Sequence, residues 1–173
     1  MSLSSGISNK TLKLNILKKY LEKLDFETLL IKESKDIPYD ALFSVIKQDY
    51  ENKNSVSISF NYIPIPNDFI ETLDFLQFIT FLDCNIVSDY KSNVTKLLNI
   101  LNFKLTIGSF FVTDNNKVTF KYVLMTSSSK SINEDNIKEA IMIYVYMYNL
   151  FSHIIVAVAN GEKSLSTAIK EIS

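Results

Sequence analysis

Twenty consecutive residues without a formal charge, Ala140–Ala159 (AIMIYVYMYNLFSHIIVAVA), constrain what this chain can fold into. As a helix the segment is about 30 Å long, enough to cross the hydrocarbon layer of a bilayer. Asn149, Ser152 and His153 near its middle oppose that use. Tyr144, Tyr146 and Tyr148 lie inside it instead of only at its ends, and no positive cluster flanks it. The alternative is a helix buried on most sides, against a sheet and a partner subunit.

The rest of the chain favours burial. With 173 residues, 47% of them hydrophobic and 21% charged, it has the composition of one globular domain. A chain of this size hides roughly 70% of its unfolded surface. The net charge is −1, so the basic footprint of a nucleic-acid binder is missing. Every basic residue is Lys, which leaves no Arg fork for phosphate, carboxylate or guanine. Cys84 is the single cysteine, which excludes an internal disulfide and zinc sites built on several thiols. Met1–Lys10 is serine-rich and lacks the apolar centre of a signal peptide, so a cytoplasmic location is expected.

Periodicity predicts a tail over residues 1–8 and one domain over 9–173. The first helix runs from about Asn9 to Leu24, with Leu14, Leu17, Leu21 and Leu24 on one stripe and Lys13 largely off it. A short extended piece is expected near Thr28–Lys32. Ala41–Gln48 and Ser55–Ile63 read as strands joined by a turn at Asp49–Asn54. In the second, Val56, Ile58, Phe60 and Tyr62 face one way and Ser57, Ser59 and Asn61 the other. Leu73–Ile86 is open to two readings: Asn67, Asp68 and Glu71 suit a helix start, but its Phe, Ile and Thr content favours strand. Ser92 is a candidate cap for a helix through Asn102. Gly108–Thr113 and Val118–Met125 form a hairpin, and Ser131 with Glu134 opens a long helix that stops at Asn160–Gly161. A last turn covers Ser164–Glu171. Helix, three strands, helix, two strands and helix make an α+β fold with one five-stranded sheet packed by helices.

Little in this pattern carries chemistry. Cys84 and His153, with Asp83 or Asp89, are the one conceivable nucleophilic set. Cys84 sits among Phe81, Leu82 and Ile86, where a thiol serves as a small hydrophobe. Paired carboxylates at Asp36/Asp40, Asp68/Glu71/Asp74, Asp83/Asp89 and Glu134/Asp135/Glu139 read as loops, caps or helix-start charges. No catalytic, cofactor or metal site is expected. The long helix carries apolar residues on more than one face, and the stripe of Met142, Tyr146, Leu150, His153 and Ile154 is a candidate protein interface. Coverage by the other helices would explain the same stripe.

Three stretches carry a resemblance. Ile37-Pro38-Tyr39 leads into the strand Ala41–Ile46. Phe75-Leu76-Gln77-Phe78 runs on to Leu82. The third spans Leu97 to Tyr122: a leucine-rich helix, Asn102, Leu105-Thr106-Ile107-Gly108-Ser109-Phe110, a polar hairpin, and Val118-Thr119-Phe120-Lys121-Tyr122. With the ending Ala157–Leu165, they resemble the YbjN-like family, whose fold is similar to class I type III secretion chaperones. Lys121 stands where that family often has Arg, and Asp83 where it often has Pro. The resemblance implies an α-β-β-β-α-β-β-α order, resolves Leu73–Ile86 as strand and disfavours a membrane span. It also implies a non-enzymatic module, chaperone-like or an adaptor, that binds a protein or peptide, expected as a homodimer. A partner that masks one specific protein is the alternative, and an enzyme using Cys84 and His153 a more distant one.

Overall fold

The structure is a computed structural model that describes residues 3–35, 37–47, 55–65 and 70–173, with side chains from residue 9 onward. The expected turn at Asp49–Asn54 and the proposed capping residues Asn67 and Asp68 lie outside the described residues.

The elements run α1 (Leu3–Lys23), β1 (Glu27–Ile31), β2 (Ala41–Ile46), β3 (Val56–Tyr62), β4 (Leu73–Phe81), α2 (Lys91–Lys104), β5 (Ser109–Val112), β6 (Val118–Ser127), α3 (Glu134–Ala159) and α4 (Leu165–Glu171). The strands form one six-stranded sheet in the order β1-β2-β3-β4-β6-β5. The expectation of five strands is therefore corrected. The short extended piece after α1 pairs antiparallel with β2, Leu29 opposite Phe43, and becomes an edge strand. Helix α1 begins ahead of the expected Asn9, and β4 ends at Phe81, short of Ile86.

By its contacts the chain divides into two compact units, one reaching to Ile79 and including Val123–Glu139, the other comprising Thr80–Tyr122 and Ala140–Ser173. In the first, alternation sets the core. Val56, Ile58, Phe60 and Tyr62 are all buried, and Phe60 pairs in register with Phe78 on β4, their rings edge to face at 4.8 Å. Leu14, Leu17 and Leu21 of α1 are buried as well. A leucine every three or four residues makes one continuous apolar stripe on a helix.

In the second unit, Phe120 of β6 stacks on Phe110 of β5 at 4.4 Å and on Tyr144 of α3 at 4.7 Å. The Tyr144 hydroxyl donates to the Phe120 carbonyl at 2.9 Å, so one residue is held by ring and backbone together. Gly108 admits this packing. Its φ is +71°, and a Cβ there would lie 2.8 Å from both the Lys121 carbonyl oxygen and the Phe120 ring. Only glycine tolerates both conditions.

Helix ends follow local chemistry. Asn133, not Ser131, caps α3 by accepting from the Asn136 N–H at 3.0 Å. Gly161, at φ +76°, ends α3 with the Glu162 N–H turned back to the Ala157 carbonyl at 2.9 Å. Ser164 caps α4, accepting from the Thr167 N–H. Ser92 does not cap α2: a 3-10 turn at Ser88–Tyr90 leads into a helix that already includes Lys91.

Candidate contact surfaces and reactive side chains

The expected contact stripe on α3 is largely exposed. Met142, Tyr146 and Leu150 are 62%, 60% and 42% exposed, and the His153 side chain 64%. Ile154, at 4%, is the exception. A helix turns about 100° per residue, so Ile154 swings from the His153 side toward the row of buried Ile137, Ile141, Tyr144, Phe151, Ile155 and Val158. That inward row anchors α3 in its fold, although the helix has the length and hydropathy of a bilayer span.

The one conceivable nucleophilic set, Cys84 with His153, lacks the features of a thiolate site. Cys84 is half-buried, and burial, reinforced by the negative charge of Asp83, pushes its thiol pKa up. An activated nucleophile needs the reverse shift. The Tyr148 phenol is raised too, first by burial and then by Cys84 and Asp83. His153 Nε2 lies 3.9 Å from Glu171 Oε1 on α4, and that carboxylate also binds Lys163.

Three members of the carboxylate pairs, Glu134, Asp40 and Asp74, have structural partners. Glu134 lies 3.5 Å from Lys23. Asp40 accepts from the Thr11 hydroxyl, from the Glu33 N–H at 2.8 Å and from Lys32 at 3.1 Å. Burial alone would raise its pKa, but these donors outweigh burial and hold the carboxyl below its usual range. Asp36 and Asp68 fall outside the described residues. Among the described residues, no three His, Cys, Asp or Glu side chains gather where a metal would be held.

Three features were not anticipated. Lys13, expected off the apolar stripe, is only 6% exposed. Its ammonium sits 2.5 Å from Asp74 on β4, 3.2 Å from the Ser127 carbonyl and 2.8 Å from the Ser128 carbonyl. All three donors of a Lys are thereby used. The signal was present: Lys13, Leu17, Tyr20 and Leu24 are spaced by four, three and four. The second feature is the sheet face opposite the buried alternation of the first unit. There Leu29, Phe43, Ser59 and Ile79 line up across four strands, with Leu29 60% and Phe43 39% exposed. The third is a cleft of about 460 Å³ lined by α2 and β5, including Thr95, Asn99, Asn102 and Phe111. Beside it the Asn102 side chain donates to the Phe110 carbonyl and accepts from the Phe110 N–H, both at 2.9 Å. A side-chain amide presents the same donor and acceptor as a neighbouring strand, so Asn102 closes edge strand β5 at that residue.

The YbjN family model, described as "Putative bacterial sensory transduction regulator", matches residues 45–152. No curated protein matches the chain. A crystal structure of YbjN, "a putative transcription regulator from E. coli", is similar at 12% identity with a TM-score of 0.46, covering 86% of this chain and 93% of that one.

Proposed function

This chain belongs to the YbjN family, and we propose that it is a regulatory, non-enzymatic protein that acts by binding another protein or an extended peptide. The observation that carries this reading is the open sheet face of the first unit, where Leu29 and Phe43 stand side by side in solvent. Exposed apolar side chains gathered on one face mark a contact surface more often than singly scattered ones do. Aromatic residues in particular supply binding energy when a partner excludes water from them. The chaperone-like mode implied by the sequence resemblance, in which an extended client lies on apolar grooves, suits such a face and the sheet edges beside it. In this reading the protein works in the cytoplasm as a homodimer, with neither nucleic acid nor membrane as its partner.

The test is affinity capture from the native lysate, comparing the unaltered chain with Phe43→Ser and Leu29→Ser. Circular dichroism first confirms that both variants keep their fold. One dominant partner that the unaltered protein retains and both variants lose supports the reading. The same partner on all three proteins, or a blank that persists under mild cross-linking, overturns it.

A further inference from the structure

Strand β5 is an outer strand of the sheet, with β6 on its inner side and α2 reaching its outer side at Asn102. Three sets of hydrogen bonds fix which of its backbone groups point outward. The Phe110 N–H donates to the Asn102 side chain, and the Phe110 carbonyl accepts from it. The Val118 carbonyl, on the residue opposite Val112, is turned away from β5 and accepts from the Leu82 N–H at 2.9 Å. The Thr113 N–H, one residue past Val112, turns inward to the Lys117 carbonyl at 2.8 Å. Along an antiparallel strand, residues bonded to the partner alternate with residues whose N–H and carbonyl face away. Phe110 and Val112 therefore both present these groups to the outer edge. Asn102 satisfies the pair at Phe110. The pair at Val112 has no partner among the described residues, and Val112 lines the cleft of about 460 Å³ between β5 and α2. On the α2 side the cleft is lined by Asn99, one helical turn before Asn102, whose side-chain amide is also without a partner among the described residues.

We propose that this cleft binds an extended, uncharged peptide segment of a partner protein, which adds a short strand beside Val112. An extended chain turns the N–H and carbonyl of successive residues to opposite sides. One ligand residue pairs with both backbone groups of Val112, and the next turns its own pair toward α2. There Asn99 offers a side-chain amide, as Asn102 offers one to Phe110. The molecule thus already holds the contact it would make with the ligand: an amide of α2 closing the free edge of a strand. Each unpaired group in the cleft needs a donor and an acceptor side by side. A peptide main chain supplies both on either edge, whereas a phosphate or carboxylate supplies acceptors only. The formal charges that line the cleft, Lys91 and Asp114, are opposite in sign, which favours a segment without net charge. Asn102 blocks the edge at Phe110, so the added strand is short. All these residues belong to the second unit and none of them carries the proposed function, so either reading can fail alone.

The experiment titrates the full-length, isotope-labelled chain with a pool of acetylated and amidated hexapeptides built from Val, Ile, Thr, Ser and Asn, read by amide NMR. Binding is expected to slow hydrogen exchange at the Val112 N–H by at least about ten-fold, the scale of one hydrogen bond. The Thr113 N–H, already bonded within the hairpin, is expected to keep its rate. The same pool N-methylated along its backbone keeps its side chains but has no main-chain donors, and is expected not to bind. Val112→Pro removes the outward N–H without removing a ladder bond, a change that edge strands tolerate. Asn99→Leu alters an exposed helix residue and decides the matter if the proline variant fails to fold. Each is expected to weaken the best peptide by about ten-fold. A pool with no member that binds below about 1 mM overturns the proposal. So does a bound peptide that leaves Val112 exchange unchanged, equal binding by the N-methylated pool, or binding that Asn99→Leu leaves intact. Val112 protection that grows with protein concentration in the absence of peptide assigns the edge to a second copy and overturns it too. Capture through Phe43 that persists after any of these failures leaves the proposed function standing.

Discussion

Both units have apolar cores, but each adds a different anchor to its core. In the first, a buried lysine on α1 is locked to Asp74 and two backbone carbonyls. In the second, three aromatic rings stack in a row, Phe110 on Phe120 on Tyr144, with one hydroxyl tied to the backbone. A charged anchor is directional. It tolerates one register only, and it is costly to break because the surviving charge stays buried. Stacked rings draw on burial and dispersion, which depend on filled volume more than on angle. The first unit thus adds polar geometry to the leucine stripe that seats its helix, and the second adds ring shape.

Truncating each anchor sharpens this contrast. Phe120→Ala removes the middle ring of the stack and is expected to cost about 4 kcal/mol, the range for a buried aromatic. Lys13→Met keeps the length and apolar stem but strands Asp74 and two carbonyls, and about 3 kcal/mol is expected. Urea unfolding measures both. The double variant Lys13→Met/Asp74→Leu separates the two mechanisms. It is expected to recover most of the loss, because an apolar pair leaves no buried charge behind. If the double variant is as unstable as the single one, the anchor acts through its bonds to the Ser127 and Ser128 carbonyls and not through the pairing of charges.

How much of this was legible depended on whether the information was local. Alternation in Val56–Tyr62 and the turn before Val118 are properties of a few adjacent residues, and both strands formed where periodicity places them. Leu73–Phe81 is strand, as its Phe, Ile and Thr content favours and the resemblance implies, although the residues before it suited a helix start. The edge strand β1 went uncounted because five residues that are exposed or half-buried throughout show no alternation to read. Lys13 was missed for a different reason. A charge on a helix is ordinarily assigned to the solvent side, and its partners lie 61, 114 and 115 residues away. The α3 stripe was readable because a helical face is periodic. Ile154 is the buried member, one residue and about 100° from exposed His153. The open sheet face was half legible: Ser57, Ser59 and Asn61 were seen to point away from the core, but Leu29 and Phe43 join them only through strand register.

Asn102 brings a polar device into the unit anchored by stacked rings, and a smaller effect follows. Asn102→Ala frees the N–H and carbonyl of Phe110 on an edge strand. The loss is expected at about 1–2 kcal/mol, less than for either anchor because neutral hydrogen bonds are lost and neither a charge is stranded nor a ring removed. Asn102→Asp is the sharper variant. An ionised carboxylate still accepts from the N–H but repels the carbonyl, so its deficit is expected to shrink as acid protonates it and restores a donor. Chemical denaturation of the two variants at pH 7 and pH 4 checks this. An Asn102→Asp deficit that stays equal at both pH values would show that it does not come from the carboxylate facing the Phe110 carbonyl.

The smallest expected effect is one of pH, and it separates the two units again. In the first, Asp40 is held below its ordinary pKa by donors that outweigh burial. A carboxyl depressed in the folded state contributes its stability above the unfolded value, and loses it as pH falls through the folded one. Asp40→Asn is therefore expected to lower the melting temperature at pH 7 by a few degrees at most, with the gap closing as pH falls below 4. In the second unit the titrating thiol is shifted the other way. Cys84 is raised by burial and by Asp83, so its thiolate is scarce at neutral pH and its folded-state alkylation at pH 8 should be several-fold slower than in the unfolded chain. Asp83→Asn removes the smaller cause and leaves burial in place. Its expected result is a modest acceleration that stays below the unfolded rate. An Asp40→Asn gap that persists at pH 3, together with a Cys84 that alkylates as fast folded as unfolded, would mean that neither local field has the sign its neighbours give it.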